Sequence, residues 1–161
     1  LAHADARSFV DGYSFDLVRN IDNTTERLLR QALTTWVNNG LPLEDLIAQL
    51  EPVFGRRRAE LIASTEITRA YARGTLAGYA AAGYGENEPT EPIPKHPKCR
   101  CWYSLRFHND GSAVYVFLTS VDERVCQICG PLHGKAVGVA RSVNSVRNFG
   151  NTRHTRVIQK A

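Results

Sequence analysis

The chain holds four cysteines, and they come as two close pairs, Cys99-Arg100-Cys101 and Cys126-Gln127-Ile128-Cys129. Cys126-x-x-Cys129 followed by Gly130 has the spacing at which a short knuckle turns two thiolates toward one tetrahedral metal ion. Cys99-x-Cys101, if extended, sends both sulfurs to the same side of a strand. His96 lies at H-x-x-C spacing before Cys99 and can replace one of the four. The expected ion is structural Zn²⁺, closed by Cys99, Cys101, Cys126 and Cys129 or by a set that includes His96. Two readings need no metal: a pair of disulfides in an oxidising compartment, or a Cys-x-x-Cys redox couple in a reducing one. The redox couple is the weaker, because the motif follows an expected β-hairpin and does not open a helix after a strand.

A zinc enzyme needs three protein ligands, an open position and a general acid or base. Four thiolates close the coordination and leave no open position of that kind. Nucleobase deaminases carry His-x-Glu followed by Pro-Cys-x-x-Cys; this chain has no His-x-Glu, and Val125 precedes Cys126. A nuclease can draw on His108, His133 or His154, with His133-Gly134-Lys135 as a phosphate-facing turn, although lone histidines at such places more often pack or face solvent. No glycine-rich phosphate loop and no Gly-x-Ser-x-Gly elbow occurs.

The elements that must position these residues can be read from pattern and punctuation. Phe9, Val10, Tyr13, Leu17 and Val18 recur at helical steps over 4–20, and Asn23 with Glu26 has capping-box spacing before Leu28, Leu29, Ala32, Leu33, Trp36 and Val37, a run closed by Gly40. Leu43 to Leu50 reads as a short helix opened by Pro42 and ended by Pro52. A longer helix is expected from about Arg56 to Ala82, with Ala59, Ile62, Glu66, Ala70, Arg73 and Ala77 on one stripe and Arg69 at its edge. Glu66 therefore sits among small residues and needs Arg69 or Arg73 as an ion-pair partner that locks helix packing; the alternative is a general base, for which no partner group is evident.

Residues 85–98 carry four prolines in fourteen positions, so helix cannot continue through them. Two strands over 101–108 and 113–119 flank an Asn109-Asp110-Gly111-Ser112 turn. The hairpin returns the chain toward Cys99 before the knuckle at Cys126, as a small zinc ribbon would close, and residues 131–139 suggest a turn and a third short strand. The expected organisation is α+β: a helical body of about four helices over 1–84, a proline-rich linker over 85–98, a zinc-binding β lobe over 99–141 and a basic arm over 142–161.

The net charge of +4 is unevenly spread. From Lys135 onward the sequence carries Lys135, Arg141, Arg147, Arg153, Arg156 and Lys160 and no acid, which suits phosphate contacts with DNA through counterion release and equally a solvated basic tail. No stretch approaches the length of a membrane span, and the start has neither a basic segment nor an apolar signal core, so the chain reads as soluble and unexported. The absence of methionine suggests a fragment of a longer polypeptide.

Three segments together resemble a known family. They are Arg58 to Gly74 (RAELIASTEITRAYARG), Asp122 to Lys135 (DERVCQICGPLHGK) and His96-Pro97-Lys98-Cys99-Arg100-Cys101. Over roughly residues 20–140 the chain is similar to phage minor head proteins, the Mu F-like head morphogenesis proteins. The resemblance implies a structural virion component inside the capsid, formed in the host cytoplasm, that meets the portal or other capsid proteins and the packaged DNA, with no membrane or small-molecule partner. In the family pattern His-Pro-x-Cys-Arg-Cys follows the Asp-x-Arg-x-Cys-x-x-Cys segment, whereas here it comes first. Tetrahedral ligation depends on where the sulfurs meet in space, so the zinc reading survives and strand order is what the inversion puts in question. The alternative from another class is a DNA-processing enzyme or a phage-borne toxin region.

Overall fold

The computed structural model describes residues 22–145. The helix expected over 4–20 and most of the basic arm lie outside them. The described residues form an α+β fold: α1 (Asn23–Asn39), α2 (Leu43–Phe54), α3 (Arg56–Ala81), β1 (Cys101–Phe107), β2 (Ala113–Thr119), a 3₁₀ turn (Gly130–Leu132) and β3 (Ala136–Arg141).

Helix α1 is capped one residue earlier than the Asn23–Glu26 spacing suggests. Asp22 accepts from the Thr25 N–H at 2.7 Å, so a carboxylate, stronger than an amide beside a helix N-terminus, takes the place. The hydrogen bonds to Thr25 hold the Asp22 carboxyl below its ordinary range. At the other end Gly40, with φ +60°, lets the chain turn, and the Trp36 indole donates to the Pro42 carbonyl at 2.7 Å. The expected stop of the second helix at Pro52 is a correction: α2 runs on to Phe54. Pro52 lies in the last turn on an exposed face, where its missing N–H costs one hydrogen bond, and Gly55 N–H still reaches the Glu51 carbonyl at 2.8 Å.

Two cores share α3. The first is mostly aliphatic, with Leu29, Leu33, Val37, Leu46 and Leu50 packed beside Trp36 against Ala59, Ile62, Ala63 and Ala70. The second packs Ala72, with Leu76 and Tyr79 partly buried, against Tyr103, Tyr115, Phe117 and Val137 of the sheet. The single expected stripe on this helix therefore needs correcting in its second half. Arg73 and Ala77 are exposed while Ala72 and Gly74 are buried, because the far end of the helix turns a different face to a different neighbour.

The sheet is antiparallel in the order β1-β2-β3, with Cys101 opposite Thr119 and Phe107 opposite Ala113. Its turn is tied by Ser112 N–H to the Asp110 carboxylate at 2.9 Å. The proline-rich segment is no free spacer between bodies. It runs beside β3, with Glu86 N–H on the Ala140 carbonyl at 3.0 Å and Thr90 N–H on the Val137 carbonyl at 2.7 Å, and Ile93 is buried in the second core. A Cβ at Gly138 would stand 3.2 Å from Pro89 Cα, a tight contact, so the close approach of the two backbones favours glycine there.

Candidate metal centre

The cysteine pairs meet at the end of the sheet nearest the middle of α3. β1 begins at Cys101, so pairing with Thr119 places that sulfur, and the sequence after β2 brings the Cys126 knuckle back over it. Gly130 N–H donates to the Cys126 carbonyl at 2.9 Å and Cys129 N–H approaches Cys126 Sγ at 3.2 Å, the local turn that makes Cys-x-x-Cys a two-toothed ligand.

Cys99 Sγ and Cys129 Sγ are 3.9 Å apart. Two ligands of a tetrahedral ion with bonds of about 2.3 Å stand roughly 3.8 Å apart, so this spacing suits a shared metal. It is almost twice the ~2.05 Å of a disulfide, and all four cysteines are free, which removes the two-disulfide alternative for this conformation. His96 joins them: its Nε2 lies 3.0 Å from Cys126 Sγ and 3.2 Å from Cys129 Sγ. Five donors thus converge as two overlapping triads, His96-Cys126-Cys129 and Cys99-Cys101-Cys129, each with its ligand atoms within 4.8 Å of one another. Each of the four cysteines and His96 belongs to one of these triads, and Cys129 is what joins the two.

Three contacts hold the ligand-bearing segments, and none of their residues was singled out for this role by the sequence. Thr65 Oγ1 of α3 accepts from Lys98 N–H at 3.0 Å, which fixes the turn between His96 and Cys99 where Lys98 takes φ 59°. Thr68 Oγ1, shared with the Ser64 carbonyl, reaches the Cys99 carbonyl at 2.7 Å. Arg100 grips Asp122 with two bonds of 2.9 and 2.8 Å, fastening Cys-Arg-Cys to the loop that leads into Cys126. The signal available in the sequence was the pair of threonines at i and i+3 on one helix face.

The protonation pattern of the cluster fits a cation site. The hydrogen bond from Cys101 draws the Cys99 thiol down to about 5, and the same bond together with burial pushes Cys101 up. Burial pushes Cys129 up to about 12, while at Cys126 burial is outweighed by the Cys129 N–H and the thiol moves down. At His96 burial is outweighed by the Pro97 carbonyl and the neighbouring thiolates, and the ring moves up. Several sulfurs this close cannot all ionise unless a positive ion joins them. The donor set, soft sulfur with one imidazole, is the chemistry of such an ion.

The other expected site residues divide. Glu66 is buried and has Arg69 at 3.9 Å, whereas Arg73 pairs with Glu88 at 3.3 Å, so of the two candidates Arg69 is the neighbour. Lys135 is exposed, and Arg141 lies over the Tyr84 ring at 5.3 Å. Arg147, Arg153, Arg156 and Lys160 lie outside the described residues, as does His154. His133 Nδ1 accepts from Thr119 N–H at 3.2 Å, which ties the ring to the end of β2. No described helix is long and apolar enough to cross a membrane.

No protein-family model, curated protein or solved structure matches the chain.

Proposed function

We propose that this chain is a structural, non-enzymatic module of a phage-type minor capsid or head morphogenesis protein, in which one Zn²⁺ clasps the lobe. The observation that supports it is the convergence of all three signature segments on a single ligand cluster. Thr65 and Thr68 of the helix signature hold the His96-to-Cys99 turn, and Arg100 holds the Asp122 loop. Residues that meet as ligands and their supports form a fastening, with zinc bound by thiolates in a closed shell that leaves no position for substrate. In the assembled head the helical body meets the portal or a neighbouring capsid protein; Leu28, Val53 and Phe54 line an open cavity of about 380 Å³ between α1 and α2 suited to an apolar side chain of such a partner. Lys135 and the basic residues that follow contact packaged DNA.

The test has two arms. Metal analysis of the purified chain gives one zinc per chain, lost on Cys129→Ser. DNA retention falls steeply as salt rises and falls further when Arg147, Arg153, Arg156 and Lys160 are changed to Gln. Retention insensitive to salt removes the DNA part of the reading. DNA cutting that is abolished by His133→Ala replaces the structural reading with the enzyme.

A further inference from the structure

The two edges of the sheet are treated differently. The β3 edge is covered by the chain itself, with Glu86 N–H on the Ala140 carbonyl at 3.0 Å and Thr90 N–H on the Val137 carbonyl at 2.7 Å. The β1 edge has no such cover among the described residues. Alternate residues of an antiparallel strand direct both backbone groups to the same side. Phe117 turns its N–H to Lys135 and its C=O to Gly134, away from β1, so Tyr103 opposite it turns its own groups away from β2. Cys101, Leu105 and Phe107 follow by alternation. Of these outward groups the Tyr103 carbonyl accepts from the Tyr79 hydroxyl at 3.4 Å, and those of Leu105 and Phe107 have no partner among the described residues.

Strand edges left in water are ordinarily blunted by proline, lysine or a bulge. β1 reads Cys-Trp-Tyr-Ser-Leu-Arg-Phe and has neither proline nor lysine. Its register with β2 is unbroken from Cys101 to Phe107, whereas the register of β2 with β3 shifts twice. Large apolar side chains also stand in water near both of its ends: Trp102 is 45% exposed and Phe107 59%. An extended backbone is the chemistry that satisfies such an edge.

We propose that β1 is a dimer edge: it pairs antiparallel with β1 of a second copy of this chain, about a two-fold axis at Ser104, and joins two three-stranded sheets into one. The strand is self-complementary in that register. Every residue from Cys101 to Phe107 finds a partner, and Tyr103 exchanges backbone bonds with Leu105 of the second copy. On the outer face Trp102 stands opposite Arg106 of the second copy, a ring against a guanidinium. Arg106 is exposed and is bonded through one nitrogen to the Gly134 carbonyl at 3.0 Å. It is the one cation in the strand, and in this register it never meets its own image. An unrelated strand would have to supply that pattern, whereas a second copy carries it by symmetry. The pairing depends neither on a virion role nor on which ion fills the metal centre.

Sedimentation of the unaltered full chain over a wide range of concentration gives a monomer–dimer equilibrium. Ser104→Lys sets like charges face to face on the axis and weakens the dimer by at least about tenfold, with circular dichroism unchanged. Leu105→Pro, which deletes an outward N–H and no bond to β2, weakens it as well. Because Ser104 turns its backbone toward β2, its Cα stands about 4.5 Å from that of the second copy, within the span of a disulfide. Ser104→Cys therefore gives a covalent dimer under mild oxidation, whereas Val139→Cys, exposed on β3 and away from the axis, gives none. A monomer at every concentration overturns the proposal. Rapid exchange of the Tyr103 and Leu105 amides in that monomer leaves the edge to a strand of another protein, and slow exchange means that the same chain covers it. A dimer indifferent to Ser104→Lys and not trapped by Ser104→Cys overturns it too, because its contact lies elsewhere.

Discussion

The helical core and the lobe core are built of different materials. Around Leu29, Leu33, Leu46 and Ile62 the first is closed by aliphatic side chains and Trp36 on three helices, each of which brings its own local hydrogen bonds. The second counts Cys99, Cys101 and Cys129 among its buried residues, beside Tyr103, Tyr115 and Phe117. Its centre is therefore chemistry as much as packing. A core of leucines stays closed without help, whereas buried sulfurs near one another cannot all carry charge until a cation joins them. The difference teaches that one helix can serve two units with separate sources of stability, α3 giving Ala59 and Ile62 to one and Ala72 to the other.

Removing the metal should separate the two regions most sharply. Structural zinc sites contribute on the order of 10 kcal/mol of binding energy to folding, so a strong chelator is expected to abolish the tyrosine signals of the sheet in near-ultraviolet circular dichroism while most helical signal remains. A helical signal that collapses with the lobe would mean that the first core cannot stand alone. Leu33→Ala should do the reverse, lowering the stability of the helical unit by about 2–5 kcal/mol with one ion per chain retained, as followed by denaturant titration and metal analysis.

Thr68→Val probes the seam between the units. It removes the donor to the Cys99 carbonyl, and a smaller loss of about 1–3 kcal/mol is expected, together with roughly tenfold weaker metal binding. An unchanged metal affinity in a competition titration would show that α3 does not position the ligand turn. The smallest effect belongs to the Arg100–Asp122 grip. Hydrogen bonding to Arg100 holds the Asp122 carboxyl at about 2, below its ordinary 3.8. A folded value below the unfolded one means that its contribution is present above about pH 4 and is lost as pH falls toward 2. NMR titration of the carboxyl should give that midpoint, and Arg100→Gln should return it close to the ordinary value.

The strands and α1 were legible because their signals are local: alternating side chains around an Asp-Gly turn over 101–119, and apolar steps closed by Gly40. What misled was also local. A proline inside a helix costs it one hydrogen bond, and in the last turn of α2 that loss at Pro52 did not end the helix before Phe54. One periodic stripe was drawn along α3, but a helix 26 residues long passes from one neighbour to another, so Arg73 fell on the open side and Ala72 on the closed one. The prolines of 85–98 exclude helix, and that was readable; that the segment lies beside β3, with Gly138 making room for Pro89, depends on a partner some fifty residues away.

Residue types and spacing alone pointed to two cysteine pairs with His96 nearby as one group able to hold a metal ion, because ligand chemistry and the period of a strand or knuckle are properties of a few adjacent residues. Only the tertiary structure decided that five donors come within reach rather than four, that Thr65 and Thr68 hold the turn carrying two of them, and that Glu66 has Arg69 and not Arg73 beside it. Those are distances between segments far apart in the chain, and they are set by how two cores pack on opposite ends of one helix.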